Sequence, residues 1–393
     1  MLKIYTHPTG YKQLPEGEPL VSLDPTTFKT FTIPHPDFER IKKVLINRDS
    51  CLKILSESGI VYIHDENRFK CSYLLDTKSS NENLIIDDIS TFSEGSTLYL
   101  ARDSESNHTF LYGSGTTTYD CFGDRKLRNL QDRNGTEKFT LLYTPQVDEN
   151  GHRPQITHIA SCHSFKIMVL DHREIRISGQ NWVNSSKEMN WNESQFVCEK
   201  KIKNITCGSF QFMVIFEDDS VMFCGDNQTN QMPHHTHGRL HFTVDDDLKI
   251  MESFGGYDSS VVRFAHTPKT PESYKIYGET LIRFENLKEF LKNYPIFTVS
   301  NENDFTQIRY LKKFFVIEFQ KGLFYFMSND HTVGFTVDMS TEFHNMYSNH
   351  YEVVALSNTI VFYKTNSKEC AIYPELHCCM RNKLLTDCDF DFI

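Results

Sequence analysis

Apolar and polar positions along the chain fall into short runs of strand length, and the runs come in pairs. The clearest pair is Ile205-Thr206-Cys207-Gly208-Ser209-Phe210-Gln211-Phe212-Met213-Val214-Ile215-Phe216, then Glu217-Asp218-Asp219-Ser220, then Val221-Met222-Phe223-Cys224-Gly225. An apolar run, an acidic-Ser cluster suited to a tight turn and a second apolar run closed by glycine predict a β-hairpin. The same order recurs in Ile159 to Leu170, turning at Asp171-His172-Arg173-Glu174 into Ile175-Arg176-Ile177-Ser178-Gly179. Further copies run from Val44 through Ser58-Gly59 to Ile63, from Leu98 to Gly113, and from Phe254 to Gly278. Two more join Phe314-Phe315-Val316-Ile317 to Leu323-Phe324-Tyr325-Phe326, and Val353-Val354-Ala355-Leu356 to Ile360-Val361-Phe362-Tyr363. Seven hairpins result.

With Tyr62, Tyr112, Ile177, Phe223, Tyr277, Tyr325 and Phe362 as landmarks, subtraction gives successive intervals of 50, 65, 46, 54, 48 and 37 residues. Spacings near 50 fit one small antiparallel sheet per repeat. Such a sheet cannot bury both faces alone, so the sheets are expected to stack around an axis, and closing the ring removes the exposed end faces. The expected fold class is all-β, a seven-bladed β-propeller over residues 1–369. Lys3-Ile4-Tyr5-Thr6 reads as the second strand of a hairpin without its first, and is expected to pair with the last blade and fasten the ring. A β-sandwich or barrel shares the strand-turn-strand grammar; Gly113, Gly179, Gly225 and Gly278, each just after a second strand, favour the repeat. One short helix is expected at 285–294, where Leu287, Phe290, Leu291 and Tyr294 make an i, i+3, i+4, i+7 stripe. It would cover the propeller between blades or, alternatively, meet a partner. The tail 370–393 departs from the repeat and reads as a frayed end or as an acidic-aromatic docking peptide.

Gly208 followed by Gly225-Asp226-Asn227-Gln228-Thr229-Asn230-Gln231-Met232 resembles the repeat of the regulator of chromosome condensation 1 (RCC1) family. Its units carry a paired-strand glycine and then a Gly-x-Asn-x-x-Gly-Gln-Leu turn. Gly179-Gln180-Asn181 and Gly10-Tyr11-Lys12-Gln13-Leu14 echo it. The repeat positions carried by this resemblance are Gly208, Gly225, Asn227, Gln231 and Gly256. Departures are large: the first-strand glycine gives way to Asn47, Cys162, Leu311 and Asn349, and the histidine that follows it gives way to Ser50, Phe165, Gln211, Ser259 and Phe314. The resemblance implies a seven-bladed propeller over nearly the whole chain. It also implies a guanine nucleotide exchange factor for the small GTPase Ran, which works by stabilising the partner's empty nucleotide site and not by covalent chemistry. The reading of the residues themselves is a protein-protein interaction scaffold without enzymatic activity, with exchange on a Ran-like GTPase as the alternative.

The longest interval contains an insertion, residues 113–154. Its stretch Tyr119-Asp120-Cys121-Phe122-Gly123-Asp124-Arg125-Lys126-Leu127-Arg128 mixes an aromatic ring with both charge signs, a composition suited to a protein contact. The candidate partner-binding residues are Asp120, Phe122, Asp124, Arg125 and Arg128. The nearby Asp148-Glu149-Asn150-Gly151 suits a plain surface loop equally well.

Composition narrows the function classes. A hydrophobic share of 39% with 13% aromatics fills a core and is unlike disorder. Lys and Arg total 41 against 52 Asp and Glu, a net charge of −11, so nucleic acid is not an expected partner. The start Met1-Leu2-Lys3-Ile4-Tyr5-Thr6-His7-Pro8 lacks a signal-peptide run, and no apolar stretch of about 18 residues spans a bilayer. The expected place is the cytoplasm or the nucleus, with no membrane insertion. The 11 cysteines show no Cys-x-x-Cys spacing and read as buried thiols. His234, His235, His237 and His241 lack an adjoining Cys or carboxylate and read as an inter-blade loop before a metal site; His377, Cys378, Cys379 and Cys388 read as structural. No Gly-x-Ser-x-Gly, no phosphate loop and no His-Glu-x-x-His occurs. No catalytic residue, metal or cofactor is expected.

Overall fold

A computed structural model describes residues 2–6, 21–23, 29–31, 41–46, 51–65, 71–75, 77, 83–92, 95–116, 121–122, 127, 129–131, 137–180, 188–189, 191–192, 196–225, 238–242, 250–255, 259–264, 273–278, 305–311, 314–319, 323–328, 334–338, 350–356 and 359–365. They form seven sheets of neighbouring antiparallel strands. The first sheet is Ile41–Ile46, Cys51–Ser56, Val61–Asp65 and Cys71–Leu74. In the second, Leu84–Thr91, Thr97–Asp103 and Thr109–Thr116 are followed by Asn129–Leu130 and Thr140–Tyr143, both paired with Thr109–Thr116. The third is Ile156–Ser161, Phe165–Leu170 and Glu174–Gln180, with Glu188–Met189 and Phe196–Val197 outermost. The fourth is Ile202–Cys207, Gln211–Phe216, Val221–Gly225 and Gly238–Phe242. The fifth holds Ile250–Gly255, Ser259–Phe264 and Ser273–Gly278. The sixth runs Phe305–Leu311, Phe314–Phe319, Leu323–Ser328 and Gly334–Asp338, with Val21–Leu23 added in parallel. The seventh joins His350–Leu356 and Thr359–Thr365 to Leu2–Thr6 and Lys29–Phe31.

All seven expected hairpins coincide with adjacent strands of one sheet. The turns show why. Asp171 and His172 both have positive φ, 46° and 59°, at the centre of a β-turn closed by the Arg173 amide on Leu170 O at 2.9 Å, within the three residues between the paired Leu170 and Glu174. In the first and fourth sheets the left-handed residue is Gly59 (φ 83°) and Asp219 (φ 60°), each ending a three-residue loop. Asp218 caps the latter by accepting from the Ser220 amide at 3.1 Å and its hydroxyl at 2.6 Å.

The first strand of each sheet touches the first strand of the next, and that of the seventh touches that of the first. Apolar side chains fill the spaces between neighbours: Leu55, Ile63, Ile86 and Tyr99 between the first and second sheets, Leu98, Leu111, Ile156 and Met168 between the second and third, Ile167, Val169, Ile202 and Val214 between the third and fourth. Met213, Phe223, Ile250 and Val262 continue the series between the fourth and fifth. Each such side chain, fully buried, stabilises the fold by about 1.5–3 kcal/mol.

A second repeat lies in the first strands. Their ladders shift at Ile41/Lys43, Ile86/Asp88, Ile156/His158, Ile202/Asn204, Ile250/Glu252 and Phe305/Gln307. A bulge here leaves one backbone N–H free to turn outward. The amide of Ile86 donates to Gly59 O at 3.3 Å, that of Ile156 to Thr109 Oγ1 at 2.6 Å and that of Ile202 to His172 O at 2.6 Å. Each bond runs to the turn region of the preceding sheet, so the bulge stitches neighbours together.

One expected repeat glycine is displaced. Gly179 and Gly225 stand at equivalent ladder positions with φ 114° and 131°. Their counterpart in the second sheet is Gly115 (φ 86°), one step beyond the Ser114 and Thr97 pair, whereas Gly113 lies inside the ladder opposite Leu98. Gly208 is not among the residues with positive φ; its amide donates to Gln211 O at 2.8 Å, as the Cys162 amide does to Phe165 O at 2.9 Å. The turn therefore tolerates cysteine there. The expected helix at 285–294, the tail 370–393, Gly10 to Leu14 and Asn227, Gln231 and Gly256 lie outside the described residues. Among those described, no helix is long and apolar enough to cross a membrane.

Candidate protein-interaction surface

Much of the stretch read as an insertion is woven into the second sheet. Gly113 to Thr116 complete a strand, Asn129 and Leu130 pair with Thr116 and Gly115, and Leu141 and Tyr143 pair with Tyr112 and Leu111. Of the five candidate contact residues only Phe122 lies among the described residues. It is 1% exposed, packed with Leu98, Leu111, Leu130 and Trp191, and its carbonyl accepts the Trp191 indole N–H at 3.1 Å. That ring anchors the segment and is not presented to a partner. Asp120, Asp124, Arg125 and Arg128 lie outside the described residues.

A second anchor is polar. Lys53 and Tyr99 are fully buried, and the Glu137 side chain nearly so; Lys53 Nζ bonds Glu137 Oε2, as does Ser114 Oγ. Lys53 Nζ also lies 3.4 Å from both Tyr99 OH and Ser114 Oγ, and those two hydroxyls are 2.7 Å apart. Burial alone would depress the Lys53 ammonium, but the Glu137 carboxylate, with Tyr99 and Cys51, reverses this and holds it above the ordinary lysine range. Burial pushes the Tyr99 phenol up against the opposing pull of Lys53. Phe139 stacks on Tyr112 at 4.1 Å and meets Tyr99 edge-on at 5.4 Å. The sequence signal for this cluster is slight: a lysine inside the apolar run Cys51-Leu52-Lys53-Ile54-Leu55, whose carboxylate partner stands 84 residues away.

Beyond these anchors the chain reaches the surface. Leu141, Val147 and Val197 are 48%, 50% and 70% exposed, the large apolar side chains most open to solvent among the described residues. Leu141 and Val197 are linked through polar contacts. Leu141 shares a strand with Tyr143, whose hydroxyl accepts from Arg176 Nη1 at 2.8 Å while the guanidinium sits 5.4 Å from the ring centre. Arg176 Nε bonds Glu174 at 2.7 Å, and Glu174 is the ladder partner of Val197. An apolar, aromatic and arginine-bearing rim thus spans the second and third sheets.

The turn ends of the first four sheets carry both charge signs. Lys43 pairs with Asp88 at 2.8 Å across the first and second sheets, Arg102 with Asp87 at 2.8 Å, and Lys203 with Asp219 at 2.7 Å. His152 bonds Asp171 at 2.8 Å, which raises its imidazole, while burial lowers that of His158. Among the described residues no group of His, Cys, Asp and Glu could hold a metal. His234, His235, His237, His377, Cys378, Cys379 and Cys388 lie outside them, and only the backbone of His241 is described, in the outer strand of the fourth sheet.

No family model matches the chain, and no curated relative does. Solved structures match over nearly its full length. Prp20p of Saccharomyces cerevisiae, described with its binding to Gsp1p and histones, has a TM-score of 0.60 at 11% identity, covering 97% of this chain and 94% of that one. Yeast RCC1 (Prp20) bound to Kap60 gives 0.61 at 13% identity, over 98% and 92%. Human WBSCR16 gives 0.57 at 10% identity, over 93% and 98%. At such identities the likeness establishes the fold: the chain has an RCC1-like propeller architecture.

Proposed function

We propose that the seven sheets are the blades of a closed propeller that serves as a protein-binding scaffold, using the rim of the second and third blades. The observation that carries this reading is that exposed Leu141 and Val197 flank the Tyr143 and Arg176 pair, Leu141 sharing a strand with Tyr143 and Val197 pairing with the Glu174 that Arg176 bonds. Aromatic rings and arginine beside apolar side chains are what protein contacts are enriched in. The segment that bears Leu141 is held by the buried anchors Phe122 and Glu137, so little ordering entropy is lost on binding. The fold neighbours support the reading, since Prp20p is described with protein partners. Replacing Leu141 and Val197 with Asp puts two charges into the rim at positions already open to water. The expected result is loss of copurifying proteins with an unchanged melting temperature; retention of every partner would reject this surface.

The second reading is guanine nucleotide exchange on a Ran-like GTPase. It is favoured by the likeness to Prp20p, whose described partner is Gsp1p. Exchange needs a rigid surface that binds the nucleotide-free partner more tightly than the loaded one, and no nucleophile. Release of a fluorescent guanine nucleotide from such a GTPase separates the readings. An unchanged release rate at saturating protein rejects exchange and leaves the scaffold.

A further inference from the structure

Glu137 sits in a receptor made by other parts of the chain. The ammonium of Lys53 comes from the first sheet, and the hydroxyls of Tyr99 and Ser114 come from the second; Lys53 and Ser114 bond its carboxylate, and the Tyr99 hydroxyl meets both of them. Two residues on, Phe139 enters a slot between Tyr112, stacked at 4.1 Å, and Tyr99, edge-on at 5.4 Å. Lys138 between them faces solvent, so the segment alternates in, out, in, as an extended strand does. The cation, the two hydroxyls and the aromatic slot all stand on strands of the first and second sheets. The backbone of the segment is held more lightly. Beyond these side chains, and Leu142 and Tyr143 packed on the Leu98, Leu111 and Phe122 cluster with the Tyr143 hydroxyl on Arg176, it has the Gln131 and Glu137 bridge, the Lys138 amide to Leu130 O at 2.8 Å, and the strand Thr140–Tyr143, whose register on Thr109–Thr116 is broken between Leu111 and Tyr112. Outer strands of this kind open at lower free energy than the core.

We infer that the cleft between the first and second sheets is a recognition site for an extended peptide bearing Glu-x-aromatic, occupied in this chain by its own residues 137–143 and open to the same pattern offered by a partner protein. This rests on the protein-binding reading and gives the partner a chemistry. Strand exchange replaces backbone pairing on Thr109–Thr116 like for like, as in recognition by strand addition, so selectivity lies in the two inward side chains. A carboxylate is required because a buried ammonium without one is left uncompensated. Lys53 is the specificity-determining residue.

The probe is a fluorescent peptide with the sequence of residues 134–143, Asn-Gly-Thr-Glu-Lys-Phe-Thr-Leu-Leu-Tyr, added to the full chain carrying Glu137→Ala and Phe139→Ala. Saturable binding by anisotropy is expected, weaker by about thirty-fold or more when the peptide glutamate is replaced by Gln or when Lys53→Met is added to the chain. Absence of binding to a cooperatively folded variant overturns the inference, and so does binding indifferent to Lys53→Met. Should the variant not fold, amide exchange in the wild-type chain decides. Residues 137–143 are expected to exchange well before the ladder of Thr97–Asp103, and exchange only through global unfolding overturns the inference. Neither readout needs a cellular partner, so failure here leaves the rim surface standing.

Discussion

At the scale of single residues, the glycines separate what the chain spells out from what it hides. Gly225 has φ 131°, and a Cβ there would come within 2.3 Å of Phe210 O and 2.6 Å of Gln211 Cα. Both obstacles are backbone, so the position is closed to other residues on two counts. Gly225→Ala is expected to lower stability by about 1–3 kcal/mol or more, read as a fall in the denaturation midpoint at constant m-value. The rule behind this, glycine after the closing strand, was legible in the sequence. Its place in the second sheet was not, because Gly113 and Gly115 are two residues apart and only the ladder shows which of them bends. Lys53 was illegible for a different reason. A lysine in an apolar run signals a buried charge only once its partner is known, and Glu137 reaches it through tertiary packing alone.

At the scale of elements, the hairpins were legible because their determinants are local: apolar runs, and turns whose Asp, Ser and Gly residues fix their own backbone. The outer strands were not. Val21–Leu23 and Lys29–Phe31 are three residues each and acquire their conformation from the sheets they join. The first-strand bulge has a sequence pattern of its own: Ile41-Lys42-Lys43-Val44, Ile86-Asp87-Asp88-Ile89, Ile156-Thr157-His158-Ile159 and Ile202-Lys203-Asn204-Ile205. Two polar residues between two inward ones break strict alternation, which reads as noise until the ladder shows an extra residue. Ile202 is fully buried between the third and fourth sheets while its amide bonds His172 O. Ile202→Ala retains that amide and empties the space, and is expected to cost about 2–5 kcal/mol by chemical denaturation. The same change at exposed Lys203, its neighbour in the bulge, is expected to stay within about 0.5 kcal/mol.

At the scale of the whole molecule, the shortest interval in the repeat now has a cause. Tyr325 lies in the third strand of its sheet, but Phe362 lies in the second strand of the seventh, whose third strand is Leu2–Thr6. The expected 50-residue step is cut to 37 because the next strand comes from the other end of the chain. Residues 1–31 serve two sheets at once, Leu2–Thr6 and Lys29–Phe31 in the seventh and Val21–Leu23 in the sixth. Their removal is expected to give an earlier and broader thermal transition, with exposed apolar surface detectable by dye binding. A transition as sharp and as hot as that of the full chain would refute the closed ring.

The pairing of Leu2–Thr6 with Thr359–Thr365 also sets a clock. Leu2–Thr6 can meet Lys29–Phe31 early, but it cannot meet Thr359–Thr365 until roughly 350 residues later, about 18 to 70 s at ribosomal speeds of about 5–20 residues per second. Through that time Leu2-Lys3-Ile4-Tyr5-Thr6 is an edge in search of a strand, within reach of any other nascent chain. For this protein the hazardous moment is birth and not heat: yield should depend on how fast, and how crowded, its translation is.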